Sequence, residues 1–247
     1  MKITFIGTSH GVPAADRYCS STMIEAGDAI YFIDAGAPLI DELLRLGKDV
    51  TRVRAVFATH CHSDHVCGLF SLASLVNWKY KDTAVSFYLP EERNVEAFKE
   101  LIRSTDRSID EERVRFCHYG ADFSYEDENI SLSVIPTKHM EKQGRPSFAL
   151  LVTEKQSGKR ALFTGDLSSN LARGDFPAIA LEEELDVLIC ELAHFFIEHV
   201  DPYLKKCKAK AVYFHHVGPM KFEGLRAAVN NYSFPVHIPE DRDEITL

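Results

Sequence analysis

Between Thr59 and His65 the chain reads Thr-His-Cys-His-Ser-Asp-His. Three imidazoles (His60, His62 and His65) and one carboxylate (Asp64) fall within six consecutive residues. Neutral imidazole and carboxylate are the ligand types that hold divalent zinc, manganese or iron. A loop that turns sharply at the end of a strand can aim side chains spaced by one and by two at a common point. Histidine is too uncommon for chance clustering to account for this density, so the run predicts a metal site rather than a solvated polar loop. Cys61 lies inside the run at a spacer position.

The neighbouring pattern supplies the elements that would hold this loop. The apolar run Val53-Arg54-Ala55-Val56-Phe57-Ala58 reads as the strand leading into it. Leu69, Leu72, Ala73 and Val76 recur at helical spacing over 66–79, so His65 should open a helix. Strands are expected near 2–6, 20–26, 29–34, 84–89 and 113–117, with helices from about Pro38 and near 91–103. In the second half, Ile130-Ser131-Leu132-Ser133-Val134-Ile135-Pro136 alternates like a strand and runs to His139. Ala161-Leu162-Phe163-Thr164-Gly165 runs to Asp166, and Ala211-Val212-Tyr213-Phe214 runs to His215. Further strands are expected near 147–153 and 187–190, helices near 178–184, 201–208 and 223–230, and a strand-like tail to Leu247. Two β-rich halves that each supply helices fit sheets inside and helices outside.

His-x-His-x-Asp-His after a hydrophobic strand resembles the signature of the metallo-β-lactamase superfamily. His139, Asp166 and His215, each beyond its own strand, match the family pattern in order and context. Upstream, Ala29-Ile30-Tyr31-Phe32-Ile33-Asp34-Ala35-Gly36 matches its strand-Asp-x-Gly element. The resemblance implies an α/β fold, a four-layer αβ/βα sandwich. It also implies two divalent metal ions, zinc first, with manganese or iron as alternatives. His60, His62 and His139 would hold one ion, Asp64, His65 and His215 the other, and Asp166 would bridge them. A water trapped between two such ions becomes a hydroxide nucleophile near neutral pH, and the ions stabilise the charge that develops. Strand alternation puts His215 and His216 on opposite faces. His215 is the expected ligand, because in related sequences it follows four strand residues directly. Asp34 is expected to orient a ligand imidazole, the alternative being a strand-end turn residue.

Phe5-Ile6-Gly7-Thr8-Ser9-His10-Gly11-Val12-Pro13 resembles the Gly-Thr-x-x-Gly-x-Pro opening of the ribonuclease Z-like and cyclic-phosphodiesterase branch, continued by Arg17, Ser20 and Ser21. After Asp166, Glu191 and then His199 resemble that branch's Glu and later His. The catalytic set implied is Asp64, His199 as general acid, and Glu191 raising the pKa of His199 and fixing its tautomer. His194 competes with His199 for that role. Only Gln143-Gly144-Arg145-Pro146, a strand pair and a turn separate His139 from Asp166, leaving no room for the tRNA-clamping arm of ribonuclease Z. Lys138, Lys142 and Arg145 flank His139 and could meet a phosphate, although solvent-exposed charge is the commoner role. The expected activity is a phosphodiesterase on a small or cyclic phosphodiester. A lactonase or other ester hydrolase is the enzymatic alternative. A non-catalytic metal-binding scaffold would have lost ligands that this chain retains, and a redox di-iron protein would carry a second cofactor domain.

Composition is consistent with these readings. The 247 residues, 45% hydrophobic and 26% charged, fit one domain over 1–247 with a full core. No apolar run approaches the roughly 20 residues of a membrane span, and the strand-like N-terminus lacks the features of a signal peptide. Six cysteines without a Cys-x-x-Cys pair fit a reducing compartment, and the cytosol is expected. A net charge of −9 favours a small-molecule substrate over a long nucleic acid, which usually needs a basic patch. A homodimer is common in the resembled branch.

Overall fold

A computed structural model describes all of residues 1–247. The first half runs β1 (Lys2–Gly7), β2 (Ser21–Ala26), β3 (Ala29–Ile33), α1 (Leu39–Arg45), β4 (Val53–Phe57), α2 (Ser63–Val66), α3 (Leu69–Trp78), β5 (Val85–Leu89), α4 (Glu92–Asp106) and β6 (Val114–His118). The second runs β7 (Ser124–Glu126), β8 (Ile130–Pro136), β9 (Phe148–Glu154), β10 (Arg160–Phe163), α5 (Ile179–Glu182), β11 (Val187–Leu192), α6 (Ile197–Leu204), β12 (Val212–Val217), α7 (Phe222–Ala228), β13 (Val236–His237) and β14 (Glu244–Thr246). The strands form two seven-stranded sheets, ordered β14-β1-β2-β3-β4-β5-β6 and β13-β12-β11-β10-β9-β8-β7. The last strand thus returns to the first sheet, pairing antiparallel with β1 through Ile3 and Ile245.

The layering follows from strands that are apolar on both faces. In β3, Ile30 and Phe32 face an outer core with α1, α3 and α4, while Ala29, Tyr31 and Ile33 face the space between the sheets. There they meet Leu132, Leu150, Phe163 and Ile189 of the second sheet. Leu162, Leu188 and Phe214 face a third core with α5, α6 and α7. The result is the expected four-layer αβ/βα sandwich. No helix is long and apolar enough to cross a membrane.

Two departures from the expected elements matter. The helix expected near 201–208 begins at Ile197, so Pro202 sits in its second turn. Proline lacks the N–H that would bond four residues back, and the helix ends two residues later at Leu204. His199 consequently lies in the first turn of α6. The short strand β7 was not anticipated.

Strands β3 to β6 are mutually parallel, as are β10 to β12. Their carboxyl ends come together along one edge of the sandwich. In open α/β sheets this is where ligands bind.

Candidate metal centre

Asp34, just beyond β3, organises the loop after β4. It accepts the Thr59 N–H at 2.7 Å and lies 3.0 Å from the Thr59 hydroxyl through both carboxylate oxygens. Its Oδ2 is 2.7 Å from His65 Nδ1. The Thr59 hydroxyl has one proton, directed at Asp34, so its oxygen is free to accept the Nδ1 proton of His60, 3.2 Å away. Asp34 therefore orients two imidazoles, one directly and one through Thr59. It does so in a left-handed backbone conformation, φ 60°, of the kind retained where surrounding structure enforces it. Gly36 lets the loop close, since a Cβ there would sit 1.8 Å from the Asp64 carbonyl oxygen.

The other imidazoles are oriented in the same way. His139 Nδ1 faces the Leu167 carbonyl at 3.3 Å, and His216 Nδ1 faces the Ser9 carbonyl at 3.0 Å. With an acceptor against each Nδ1, the neutral ring keeps its proton there, so Nε2 of His60, His65, His139 and His216 faces inward and offers a lone pair whenever the ring is neutral. His62 uses the opposite nitrogen: its Nδ1 is 3.0 Å from His60 Nε2 and 3.2 Å from His139 Nε2.

These atoms fall into two groups that share Asp166. His60, His62, His139 and Asp166 converge in one, and Asp64, His65 and His216 in the other. Asp166 Oδ2 lies 3.7 Å from Nε2 of both His60 and His139. Its Oδ1 lies 3.4 Å from Nε2 of both His65 and His216. Asp64 Oδ2 closes the second group, 3.4 Å from His65 Nε2 and 3.8 Å from His216 Nε2. His65 Nε2 and Asp166 Oδ1 are buried without a hydrogen-bond partner. Buried polar atoms are ordinarily satisfied, and a divalent ion in the second group would satisfy both. The donor set fits such ions.

Electrostatics agree. Burial, reinforced by His65, holds the His60 imidazolium well out of reach, and burial lowers His62 and His139 as well, so these three offer neutral nitrogen. Burial opposes the charge on Asp64, but hydrogen bonding to His65 wins and brings it to about 2. Burial opposes the charge on Asp166, but attraction to the imidazoles of His216 and His65 outweighs it and holds the carboxyl well below the usual range. For His65 the balance runs the other way from the other ligands. Burial disfavours its cation, yet Asp34 and Asp166 together raise it well above its ordinary value.

The structure corrects two expectations. His216, not His215, enters the second group. Glu191 pairs with His215, but the next β11 residue, Leu192, pairs with Val217, so His216 is an extra residue in a bulge, at φ 51°. The bulge breaks the alternation and turns His216 to the centre. His215 is buried against the Phe5 ring, centroids 6.3 Å apart, with burial pulling its pKa to about 3. Likewise His194, not His199, joins the centre. His199 is exposed, its Nδ1 accepting the Phe196 N–H at 3.2 Å. Glu191, fully buried, instead grips His194: Oε1 is 3.0 Å from His194 Nδ1, and Oε2 accepts the N–H groups of Ala193 and His194. Oε1 also accepts the Leu167 N–H beside Asp166. Burial lowers the pKa of His194, but Glu191 and then Asp166 override it and lift it to about 9.

Of the basic residues near His139, Arg145 is occupied by Glu91, with contacts from 2.6 to 3.1 Å. Lys138 Nζ donates to the Arg173 carbonyl. Lys138 and Lys142 line, with Ser168, Ser169 and Arg173, a recess of about 80 Å³ beside His139. A larger cleft of about 340 Å³ opens beside Asp64, lined by Gly11, Pro13, Tyr18, Cys19 and Cys67. Cys61 is buried and its thiol is pushed up to about 12 by burial, which makes it an inert spacer. Sequence reasoning passed over Lys221, whose Nζ bonds the Ala193 carbonyl. It also passed over Asp175, which accepts the N–H groups of Lys138 and Ser168. No local pattern marks either residue.

A family model described as Anti-Pycsar protein Apyc1 matches residues 1–216. A ribonuclease Z of Prochlorococcus marinus (strain NATL2A) is 24% identical over 189 residues, covering 71% of this chain and 59% of the relative. The chain spans about half the length of other ribonuclease Z sequences it matches. Among solved structures, the metallo-β-lactamase fold protein YhfI of Bacillus subtilis superposes with a TM-score of 0.77 at 20% identity, covering 99% of this chain and 98% of that one. Human tRNase Z, short form (ELAC1), gives 0.73 at 20% identity, covering 100% and 99%.

Proposed function

For a chain that belongs to the Anti-Pycsar protein Apyc1 family and has the metallo-β-lactamase fold, we propose a metal-dependent phosphodiesterase acting on a small or cyclic phosphodiester. The observation that carries this reading is the division of Asp166, one oxygen toward each of two convergent donor groups. His60, His62 and His139 would hold one divalent ion and Asp64, His65 and His216 the other, with Asp166 available to both. Ions bound there supply a water activated near neutral pH and neutralise charge on the phosphoryl oxygens.

The rest of the chemistry falls to side chains. Cleavage of a phosphodiester expels an alkoxide, which needs a proton as it leaves. His194 is the group we assign to it: its Nδ1 lies 3.0 Å from Glu191 Oε1 and 3.7 Å from Asp166 Oδ2, and the ring is partly open to solvent. An imidazolium kept charged by Glu191 is available as a general acid at neutral pH. A carboxylic ester or lactone makes less use of such an acid, which favours the phosphodiester. The ribonuclease Z and tRNase Z relatives are named for cleavage of this bond in RNA. The recess beside His139 and the cleft beside Asp64 suit a compact substrate.

The test combines elemental analysis of the purified protein with hydrolysis of bis(p-nitrophenyl) phosphate and of cyclic phosphodiesters. About two ions per chain and chelator-sensitive turnover are expected. Two ions with turnover confined to carboxylic esters or lactones would reject the phosphodiester. Failure to take up any ion on reconstitution would reject the centre itself.

A further inference from the structure

The C-terminal segment 239–247 crosses back to the first sheet and seizes a loop that touches the centre. Asp241 Oδ1 accepts the Thr8 N–H at 2.8 Å and the Thr8 hydroxyl at 2.7 Å, and its Oδ2 accepts the Tyr18 N–H at 2.6 Å. One carboxylate therefore grips both ends of the loop 8–18. Arg17 tightens the same knot, donating to Thr8 Oγ1 at 2.8 Å and to the Pro239 carbonyl at 3.0 Å. The turn bearing Asp241 is itself fixed. Arg242 N–H donates to the Phe5 carbonyl at 2.6 Å, and Phe5 N–H donates to the Asp243 carbonyl at 2.9 Å. The Arg242 guanidinium makes two bonds, 2.7 and 2.9 Å, to the buried Glu42 carboxylate. Arg242 adopts φ 73°, a left-handed conformation these contacts enforce.

What the loop touches decides its role. The Thr8 carbonyl accepts the His216 N–H at 2.9 Å. The Ser9 carbonyl receives His216 Nδ1 at 3.0 Å, the contact that turns Nε2 inward. Gly11 lies against Asp64, where an added Cβ would come 3.3 Å from Oδ2. All three contacts are with residues of the second donor group. The acceptors that orient His60 and His139 are Thr59 and the Leu167 carbonyl, neither of them in this loop.

We propose that Asp241 is a positioning residue for the second ion alone, acting through the loop 8–18 on His216 and Asp64. This rests on the two-ion reading above. Partners that orient a metal-bound histidine commonly set affinity within a factor of about 10 to 100. In Asp241→Asn one oxygen becomes an NH₂ that must face an N–H or O–H donor, so the grip on one loop end is lost whichever way the amide turns. The effect should fall on one ion and spare the other.

The experiment is a zinc titration of the metal-free full chain against a competing chelator, for wild type, Asp241→Asn and Thr8→Val, with thermal melts of each metal-free form. Wild type should show two binding events. Asp241→Asn should leave one event unchanged and weaken the other by about 10- to 100-fold, and Thr8→Val should weaken that same event less. Thr8→Val carries the test should Asp241→Asn not fold. Unchanged affinities in the variants would overturn the inference, as would an equal loss at both ions together with a lowered melt, which marks a purely structural residue. A single event in wild type would remove the two-ion reading and this inference with it.

Discussion

The two halves of the molecule build the centre by different means. The first half gives His60, His62, Asp64 and His65 from one loop after β4, tied to one carboxylate, Asp34. The second half gathers His139, Asp166 and His216 from beyond β8, beyond β10 and within β12, with nothing local in common. In the first, geometry is set by a short turn and written in consecutive residues. In the second it is set by strand register, and a one-residue bulge in β12 decides which of two adjacent histidines is used. Both halves place a residue at positive φ beside the centre, Asp34 and His216. Such strain typically costs about 1–3 kcal/mol each and persists only where the surroundings enforce it.

The largest test of this contrast targets Asp166, the one residue both groups share. Asp166→Ala should lower ion content below one per chain and hydrolysis by at least about a thousandfold, read by elemental analysis and initial rates. Retention of two ions would mean the halves are complete separately. His194→Gln should retain both ions yet cut kcat on alkyl phosphodiesters by about 10²- to 10⁴-fold. It should act far less on bis(p-nitrophenyl) phosphate, whose leaving group needs no proton. His199→Ala, at an exposed position, should leave both rates near wild type, and the reverse ranking would reinstate His199.

The neighbouring histidines of β12 sharpen the register argument. His216→Ala should lose the second ion while the metal-free fold survives. His215→Ala should keep both ions and lose about 1–3 kcal/mol of stability through the gap left against Phe5, measured by chemical denaturation. The smallest effect concerns protons. The raised pKa of His65 means it is cationic in the metal-free protein at neutral pH, and binding an ion must expel that proton. Affinity for the second ion should therefore fall as pH falls. Calorimetry in buffers of different ionisation enthalpy should detect proton release near pH 7, and no release would contradict the charge state assigned to His65.

Legibility followed range. The strand leading to His60 and the helix carrying Leu69, Leu72, Ala73 and Val76 were plain because alternation and helical spacing are local signals. His139 and Asp166 were reachable because each ends a readable strand. His216 was not, since a bulge is fixed by the partner strand and leaves no mark in Val212-Tyr213-Phe214-His215. His199 is the expected acid only because the resembled branch carries a later His after its Glu, and nothing local shows that the buried Glu191 grips the His three residues on instead. Asp241 and Asp175 were invisible for a simpler reason. Apart from the Thr8 hydroxyl, their partners are backbone N–H groups, of Thr8 and Tyr18 and of Lys138 and Ser168, and a peptide N–H has no residue type to recognise.

Asp34 holds the Thr59 and His65 ends of its loop by hydrogen bonds made entirely within the protein. The loop is thus a mould cast before anything is poured into it. Ion uptake should bury almost no apolar surface and order almost no chain. Its heat-capacity change should accordingly lie near zero, unlike that of a zinc finger, where metal binding and folding are one event.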